Sequence, residues 1–301
     1  MTIASGSGGS LPASEKVRAP SLRTGSPAHV SLEATSCPAT KPPLRSARRV
    51  ANILLAAALM TGATSAAPEP RRTGFDDMTP ALQAMQRDDA LNPAMLSVLE
   101  GEASWQRPAG ASQIACAACH QEAAVSMRGV AARYPAFDAA LQRPVTLPER
   151  INLCRVNHQR SASLASDNAQ ALGLHSFVAM QSRGMPIAPP ADARLQPFRT
   201  RGAALYSTRM GQLDLSCAHC HDANAGRRLG GSTIPQAHPT GYPLYRLEWQ
   251  GMGSLQRRLR ACMTGVRAEP FAADSPEWVA LELALMQRAA GLPIDAPAVR
   301  P

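Results

Sequence analysis

Apolar residues recur at spacings of three and four over residues 91–99 and 278–290, which predicts helices there. Pro276, in Asp-Ser-Pro-Glu, stands where a first helical turn tolerates proline. No stretch alternates apolar and polar residues strongly enough to predict a strand. Segments 105–116, 206–217 and 225–245 are rich in Gly and Pro or lack periodicity, and they read as loops. The pattern therefore predicts an all-α chain.

One apolar run has a different character. Residues 50–60, Val-Ala-Asn-Ile-Leu-Leu-Ala-Ala-Ala-Leu-Met, follow Arg45-Ser-Ala-Arg48-Arg49 and precede Thr-Gly-Ala-Thr-Ser-Ala-Ala67. A basic start, a short apolar stretch and a small-residue end are the marks of an export signal. The run is too short to span a bilayer, which takes ~20 apolar residues. A buried helix of the fold would explain neither the basic start nor the Pro-Glu-Pro that comes after it. Residues 1–44 are rich in Ser, Pro, Thr, Ala and Gly and show no periodicity. Residues 1–67 are expected to be removed as a targeting segment, and Cys37 goes with them.

The remainder is organised by an internal repeat. Gly101-x3-Trp105-x10-Cys116-Ala-Ala-Cys119-His120 returns 101 residues later as Gly202-x3-Tyr206-x10-Cys217-Ala-His-Cys220-His221. Gly110 and Gly211 fall in register. Arg150-x3-Cys154 is answered by Arg258-x3-Cys262, and Gly184-Met-Pro-Ile187 by Gly291-Leu-Pro-Ile294. One domain of about a hundred residues is used twice. The boundary is placed near residue 190, in the linker-like stretch 188–192, giving domains over 68–190 and 191–301.

Composition adds two points. Aromatic residues make up only 4% of the chain, which leaves little bulk for two cores unless a large apolar ligand fills each. The net charge of +9 is concentrated in residues 1–67, which hold +5 of it. No Lys/Arg run with interleaved aromatics comes later, so nucleic-acid binding has no support. A mild positive field still favours an anionic substrate.

Cys-x-x-Cys-His is the attachment signature of c-type haem: two thiols join the porphyrin and the His becomes the proximal iron ligand. Two such motifs in register point to two covalently bound haem c groups. Cys116, Cys119 and His120 would hold the first, and Cys217, Cys220 and His221 the second. A pair of disulfides, or a redox-active Cys-x-x-Cys, would explain neither the His after each motif nor the repeat. Two small helical domains, each wrapped around a haem, fit the whole pattern.

Cys154 and Cys262 remain, each downstream of a haem motif with Arg four residues before it. That step puts Arg and Cys on one face of a helix. The sharper reading makes each thiolate the distal ligand of its own haem; the alternative is a disulfide between the two, which an exported protein permits. Met127, His158, His175, Met180, Met185, His238, Met252 and Met263 are other candidates for the sixth iron ligand. None pairs with an equivalent across the repeat as the cysteines do. His219 sits at a variable position of the second motif and receives no role.

The residues Ser-Cys217-Ala-His-Cys220-His221, followed by Arg257-Arg258-Leu-Arg-Ala-Cys262-Met-Thr-Gly-Val-Arg267-Ala-Glu-Pro270, resemble the SoxA family of dihaem cytochromes. Leu281-Glu282-Leu283, Arg288-Ala-Ala-Gly291-Leu and Glu149-Arg150-Ile-Asn152-Leu-Cys154-Arg155 fit the same resemblance, which covers residues 78–301. It implies a periplasmic L-cysteine S-thiosulfotransferase that couples thiosulfate to a cysteine of a SoxYZ carrier, with a monohaem SoxX partner. It further implies that Cys262 is both iron ligand and catalytic cysteine, seen in the family as a persulfide, that Arg258 holds the sulfur anion, and that Cys154 ligates a dispensable first haem.

Three rival functions share parts of the pattern. A dihaem electron-transfer cytochrome would need no substrate, and a tetrathionate-forming thiosulfate dehydrogenase would need no carrier protein. A dihaem peroxidase would want an open or His-ligated iron, which the duplicated cysteine opposes. The exported protein is expected to begin near Pro68 and to carry two covalent haems, and its intact mass reports both at once.

Overall fold

The computed structural model describes residues 70–273 and 275–301, so the expected targeting segment and Cys37 lie outside the described residues. Helix α1 (Pro80–Arg87) is capped by the Thr79 hydroxyl, which accepts from the Leu82 amide. The first half then runs α2 (Met95–Gln106), α3 (Cys116–His120), α4 (Ala123–Ser126), a hairpin of β1 (Ala136–Asp138) and β2 (Arg143–Val145), α5 (Leu147–Cys154) and α6 (Ala169–Met180). The second runs α7 (Gln196–Ser207), α8 (Cys217–His221), a small hairpin of β3 (Arg228–Leu229) and β4 (Ser232–Thr233), a second hairpin of β5 (Leu244–Arg246) and β6 (Gly251–Gly253), then α9 (Leu255–Gly265) and α10 (Pro276–Arg288). Strand β7 (Ala298–Arg300) closes the chain by pairing parallel to β5.

Each half is framed by a close crossing of its first and last long helices. A Cβ on Gly101 would lie 2.0 Å from the carbonyl oxygen of Gly173, and one on Gly202 would lie 1.9 Å from that of Ala280. Backbone thus meets backbone where α2 crosses α6 and where α7 crosses α10. Around the first crossing Val98, Trp105, Leu147, Phe177 and Val178 form a core, with Cys116 and Ala117 packed on its edge. Around the second, Tyr206, Met263, Trp278, Leu281 and Leu285 do the same, with Cys217 and Ala218 on the edge.

The two repeats meet through their closing motifs. Gly184-Met-Pro-Ile187 and Gly291-Leu-Pro-Ile294 run antiparallel to each other. Gly184 N–H donates to the Ile294 carbonyl at 2.7 Å and Ile294 N–H returns a bond to Met185 at 2.9 Å. Gly291 N–H donates to Ile187 at 2.8 Å, and Ile187 N–H to Leu292 at 2.9 Å. Ala179, Ile187, Met286, Ala289 and Ile294 are buried in this junction. The C-terminal strand ties in the N-terminal helix as well: Gln86 Oε1 accepts from the Val299 amide at 3.0 Å, and Asn92 Nδ2 donates to the Pro297 carbonyl at 3.2 Å.

The all-α expectation holds only in part. Seven strands are present among the described residues, β3, β4 and the start of β5 within the segment read as loop. Each is two or three residues long, too short for an alternating pattern to show. The predicted helix over 278–290 corresponds to α10, with Pro276 in its first turn as expected and Ser275 as its cap. The predicted helix over 91–99 is displaced: α2 begins only at Met95. Asn92 precedes Pro93, a position that disfavours helix, and its side chain accepts from the Ala94 amide at 2.9 Å instead. The buried face of α2 is Val98, Gly101 and Trp105, while Leu96 and Leu99 face solvent. The leucine spacing therefore marks the wrong face.

Between the halves lies a cavity of about 100 Å³ lined by His175 of α6, Glu282 of α10, Tyr134, Tyr242 and Leu259. His175 and Glu282 lie two residues beyond Gly173 and Ala280, so the repeat places them equivalently. Burial pulls the His175 pKa down to about 4, and burial reinforced by Glu149 pushes the Glu282 carboxyl up to about 7. A raised carboxyl contributes stability below its unfolded pKa, which is lost as pH rises through the folded one. A depressed His contributes above pH ~6.5 and loses it on acidification.

Both features bear on melting of the haem-loaded protein. Gly202→Ala is expected to destabilise it by roughly 3 kcal/mol, because the new methyl group overlaps a backbone carbonyl that cannot move independently. A melting temperature within a degree or so of wild type would contradict the close crossing. Glu282→Gln is expected to stabilise the protein by roughly 1–3 kcal/mol at pH 8, with the advantage vanishing toward pH 4.5. Melting curves at stepped pH check this.

Candidate functional site

The haem motifs sit at the starts of short helices because the preceding loops are closed by tight turns. Gly110 and Gly211 adopt φ values of 65° and 70°, and the flanking residues bridge as Ala109–Ile114 and Met210–Leu215. A Cβ on Gly211 would meet the Val266 carbonyl oxygen at 2.2 Å, so the loop is pressed onto the end of α9. Trp105 and Tyr206, matched by the repeat, anchor the residue directly after each motif. Trp105 Nε1 donates to the Gln121 carbonyl at 3.2 Å, and Tyr206 OH donates to Asp222 Oδ1 at 3.0 Å. His219, given no role from sequence, takes a structural one. Its Nδ1 accepts from the Ser216 amide at 3.1 Å and completes a capping box at the start of α8.

All six described cysteines are free thiols. Burial pushes the Cys116 thiol up, with Arg155 opposing and Cys154 adding to the rise. The Cys217 thiol is pushed up to about 11, by burial first and then by Cys262. Each third cysteine thus lies close enough to the first cysteine of its own motif for its charge to be felt. Cys154 ends α5, where the chain widens into a π-helical turn over Arg155–Gln159. Cys262 lies inside α9.

His221 Nδ1 is 2.7 Å from the Pro235 carbonyl oxygen, which accepts a proton held there and leaves Nε2 free to bind a metal. The segment carrying Pro235 is the one lengthened in the second half. His120 has no such partner among the described residues and packs beside Trp105, ring centroids 5.6 Å apart.

The two arginines differ sharply. Arg150 Nη2 donates to Asp138 Oδ2 at 2.5 Å and its Nε to Tyr134 OH at 3.2 Å, so its charge is matched inside the protein. The Arg258 guanidinium has no hydrogen-bond or carboxylate partner among the described residues. Its charge is nonetheless felt by His221, Tyr242 and Arg246, and Cys262 is felt by Tyr242, so these groups face one locality. The neighbouring arginines are otherwise engaged: Arg257 stacks 4.2 Å over Trp249, and Arg260 pairs with Asp167 at 3.1 Å.

Of the other sixth-ligand candidates, His158 is exposed and His175 lines the junction cavity. His238 Nδ1 is held by the Arg72 carbonyl at 2.6 Å, and Met263 is buried in the second core. Met127 and Met180 pack against the first core. Met185 is within 3.5 Å of a Cβ built on Gly129, and Met252 lies on β6.

Free thiol pairs at a helix start, each followed by a His and with a third cysteine nearby, make donor sets that fit haem c in both halves, and in the second a carbonyl also orients the His. Fold and site together define a protein of two cytochrome c domains in tandem. The family model for the SoxA/TsdA cytochrome c domain matches residues 100–187 and again 201–294. The chain is 37% identical over 216 residues to the L-cysteine S-thiosulfotransferase subunit SoxA of Pseudaminobacter salicylatoxidans, covering 71% of this chain and 76% of that one. To the subunit of the same name from Rhodovulum sulfidophilum it is 35% identical, covering 76% and 80%. The crystal structure of SoxXA from P. pantotrophus matches with a TM-score of 0.74 and 32% identity, covering 77% of this chain and 87% of that one. The chain belongs to the SoxA family, as the resemblance of its motifs implied, and its relatives carry the enzyme class expected from that resemblance.

Proposed function

We propose that the protein is the catalytic subunit of a periplasmic L-cysteine S-thiosulfotransferase, joining thiosulfate oxidatively to a cysteine of a SoxYZ-type carrier. The observation that carries this reading is the contrast between the two arginines: Arg150 is neutralised by Asp138, whereas Arg258 stands without a carboxylate beside Cys262. An unmatched guanidinium in a partly enclosed site attracts an oxyanion, and its fork suits the oxygens of a sulfonate.

In this reading two haem c groups are bound, at Cys116/Cys119/His120 and Cys217/Cys220/His221, with Cys154 and Cys262 as the distal residues. When bound, haem c supplies a one-electron acceptor with a low potential under thiolate ligation. The coupling balances as thiosulfate dianion plus a carrier thiol giving a carrier S-thiosulfonate, one proton and two electrons. Arg258 holds the sulfonate end. Cys262 is the sulfur at which the S–S bond is handled, and the persulfide expected there belongs to the same assignment. His221 is kept in one tautomer by Pro235. A SoxX-type monohaem cytochrome c is the partner that takes part in electron removal, in keeping with the SoxXA complex that the fold matches. Export is consistent with the signal-like residues 1–67, and among the described residues no helix is long and apolar enough to cross a membrane.

Thiosulfate-dependent haem reduction with a SoxX-type partner and a carrier cysteine tests the reading. Cys262→Ala should abolish turnover while both haems stay attached, since attachment uses other cysteines. Arg258→Ala should weaken it about ten- to a hundredfold, the loss of one charge-assisted hydrogen bond to an anion. Wild-type turnover in Cys262→Ala would replace the catalytic reading with an electron-transfer cytochrome. Tetrathionate formed without any carrier would replace it with a thiosulfate dehydrogenase.

A further inference from the structure

We propose that Arg246 is a second substrate-binding residue, which with Arg258 forms a two-guanidinium clamp for a doubly charged sulfur oxyanion beside Cys262. The inference rests on the thiosulfotransferase reading of the second site and deepens it.

The register of the repeat changes partway along each half. The haem motifs are offset by 101 residues, but Tyr134-Pro-Ala-Phe-Asp138 and Tyr242-Pro-Leu-Tyr-Arg246 are offset by 108, as are Arg150/Arg258 and Cys154/Cys262. The hairpins obey the same offset. Ala136 pairs with Val145 and Asp138 with Arg143 in the first half; Leu244 pairs with Gly253 and Arg246 with Gly251 in the second. The two helix caps agree as well, Thr146 accepting from the Glu149 amide and Ser254 from the Arg257 amide. Arg246 therefore occupies the place of Asp138.

In the first half that place holds the carboxylate that neutralises Arg150. In the second it holds another cation, while Tyr and Arg are kept at the other two corners. A matched ion pair has been exchanged for two like charges. Two guanidinium groups held together, with only the exposed Glu248 carboxylate on one of them, repel each other, and an anion relieves the repulsion. Burial, and after it the Arg258 charge, holds the Arg246 pKa below its usual value.

Arg246 is also built in rather than loose. Its side chain is only 11% exposed, and its guanidinium carbon lies 5.2 Å from the centroid of the Trp249 ring. Nη2 donates to Glu248 Oε2 at 3.0 Å, and that carboxylate is 64% exposed, on the solvent side. The Arg246 Nε is buried and has no partner among the described residues. A buried unmet N–H next to an unmatched Arg258 is a donor set awaiting an acceptor with several oxygens.

The test uses the haem-loaded mature protein, with inorganic sulfate as probe and chloride at matched ionic strength as control. Sulfate is expected to raise the wild-type melting temperature above that in chloride. Arg246→Gln should lose most of that rise and show a thiosulfate KM about ten- to a hundredfold higher, with kcat less affected. Arg246→Asp, which restores the first-half arrangement, should melt at or above wild type in chloride and ignore sulfate. Should Arg246→Gln not fold, Arg246→Asp carries the test alone. A wild-type sulfate response and KM in either variant overturns the proposal. So does a shifted haem potential with the sulfate response intact, since Arg246 would then serve the porphyrin propionates. A wild-type protein that shows the sulfate response but no thiosulfate turnover would support the clamp and sink the thiosulfotransferase reading instead.

Discussion

Everything in this molecule hangs on two places where helix backbones touch. At Gly101–Gly173 and Gly202–Ala280 a side chain has no room, because a Cβ would fall within 2.0 Å of a carbonyl oxygen. Close crossing fixes the angle between the first and last helix of each half. The haem-motif helix is tied to the first through Trp105 or Tyr206, and the cysteine-bearing helix α5 or α9 packs against the last. With crossing and anchors set, the motif and the third cysteine come together without any direct bond between them. The paired Gly-x-Pro-Ile segments then lock the two frames into one body.

Duplication supplied two equal frames, and the sequence then diverged on them unequally. The first keeps its charges matched at its cysteine: Arg150 is held by Asp138 and Tyr134. The second has Arg at both positions, Arg258 without a carboxylate and Arg246 paired only with the exposed Glu248. It also gains the segment between His221 and Tyr242, which brings the Pro235 carbonyl to the proximal His. Both changes fall in the second half. A half that commits its arginine to an internal pair is suited to holding a cofactor. A half that sets two arginines together with one exposed carboxylate between them and solvent, and fixes the tautomer of its His, is suited to handling an anion.

Much of this is legible in the chain. The haem motifs, the third cysteines, the Arg four residues before each, the closing Gly-x-Pro-Ile segments and α10 are all readable, because each depends on local spacing. The short strands are not, since two or three residues carry no period. The buried face of α2 escapes the pattern because Leu96 and Leu99 point outward, and the face that packs is built around a glycine. Arg246 is hidden for a different reason. The haem motifs match at an offset of 101 and the Arg-x3-Cys pairs at 108, and the shared Tyr-Pro where the offset changes lies between those matched stretches. The exchange of Asp138 for Arg246 becomes visible only once that intervening stretch is aligned as well.

That exchange also explains why so small a difference separates two otherwise similar sites. Replacing one carboxylate by a guanidinium changes the local charge by two units. Two unit charges a few ångströms apart interact by roughly 4 kcal/mol at the effective dielectric of a protein surface. The first site sets one Arg against one Asp, a closed pair with no cation left to draw a dianion. The second sets two Arg against one carboxylate, the exposed Glu248, and so keeps a positive charge that a dianion can meet. A dianionic substrate needs those cations to approach. One substitution on β5 supplies the second of them, with the backbone frame unchanged.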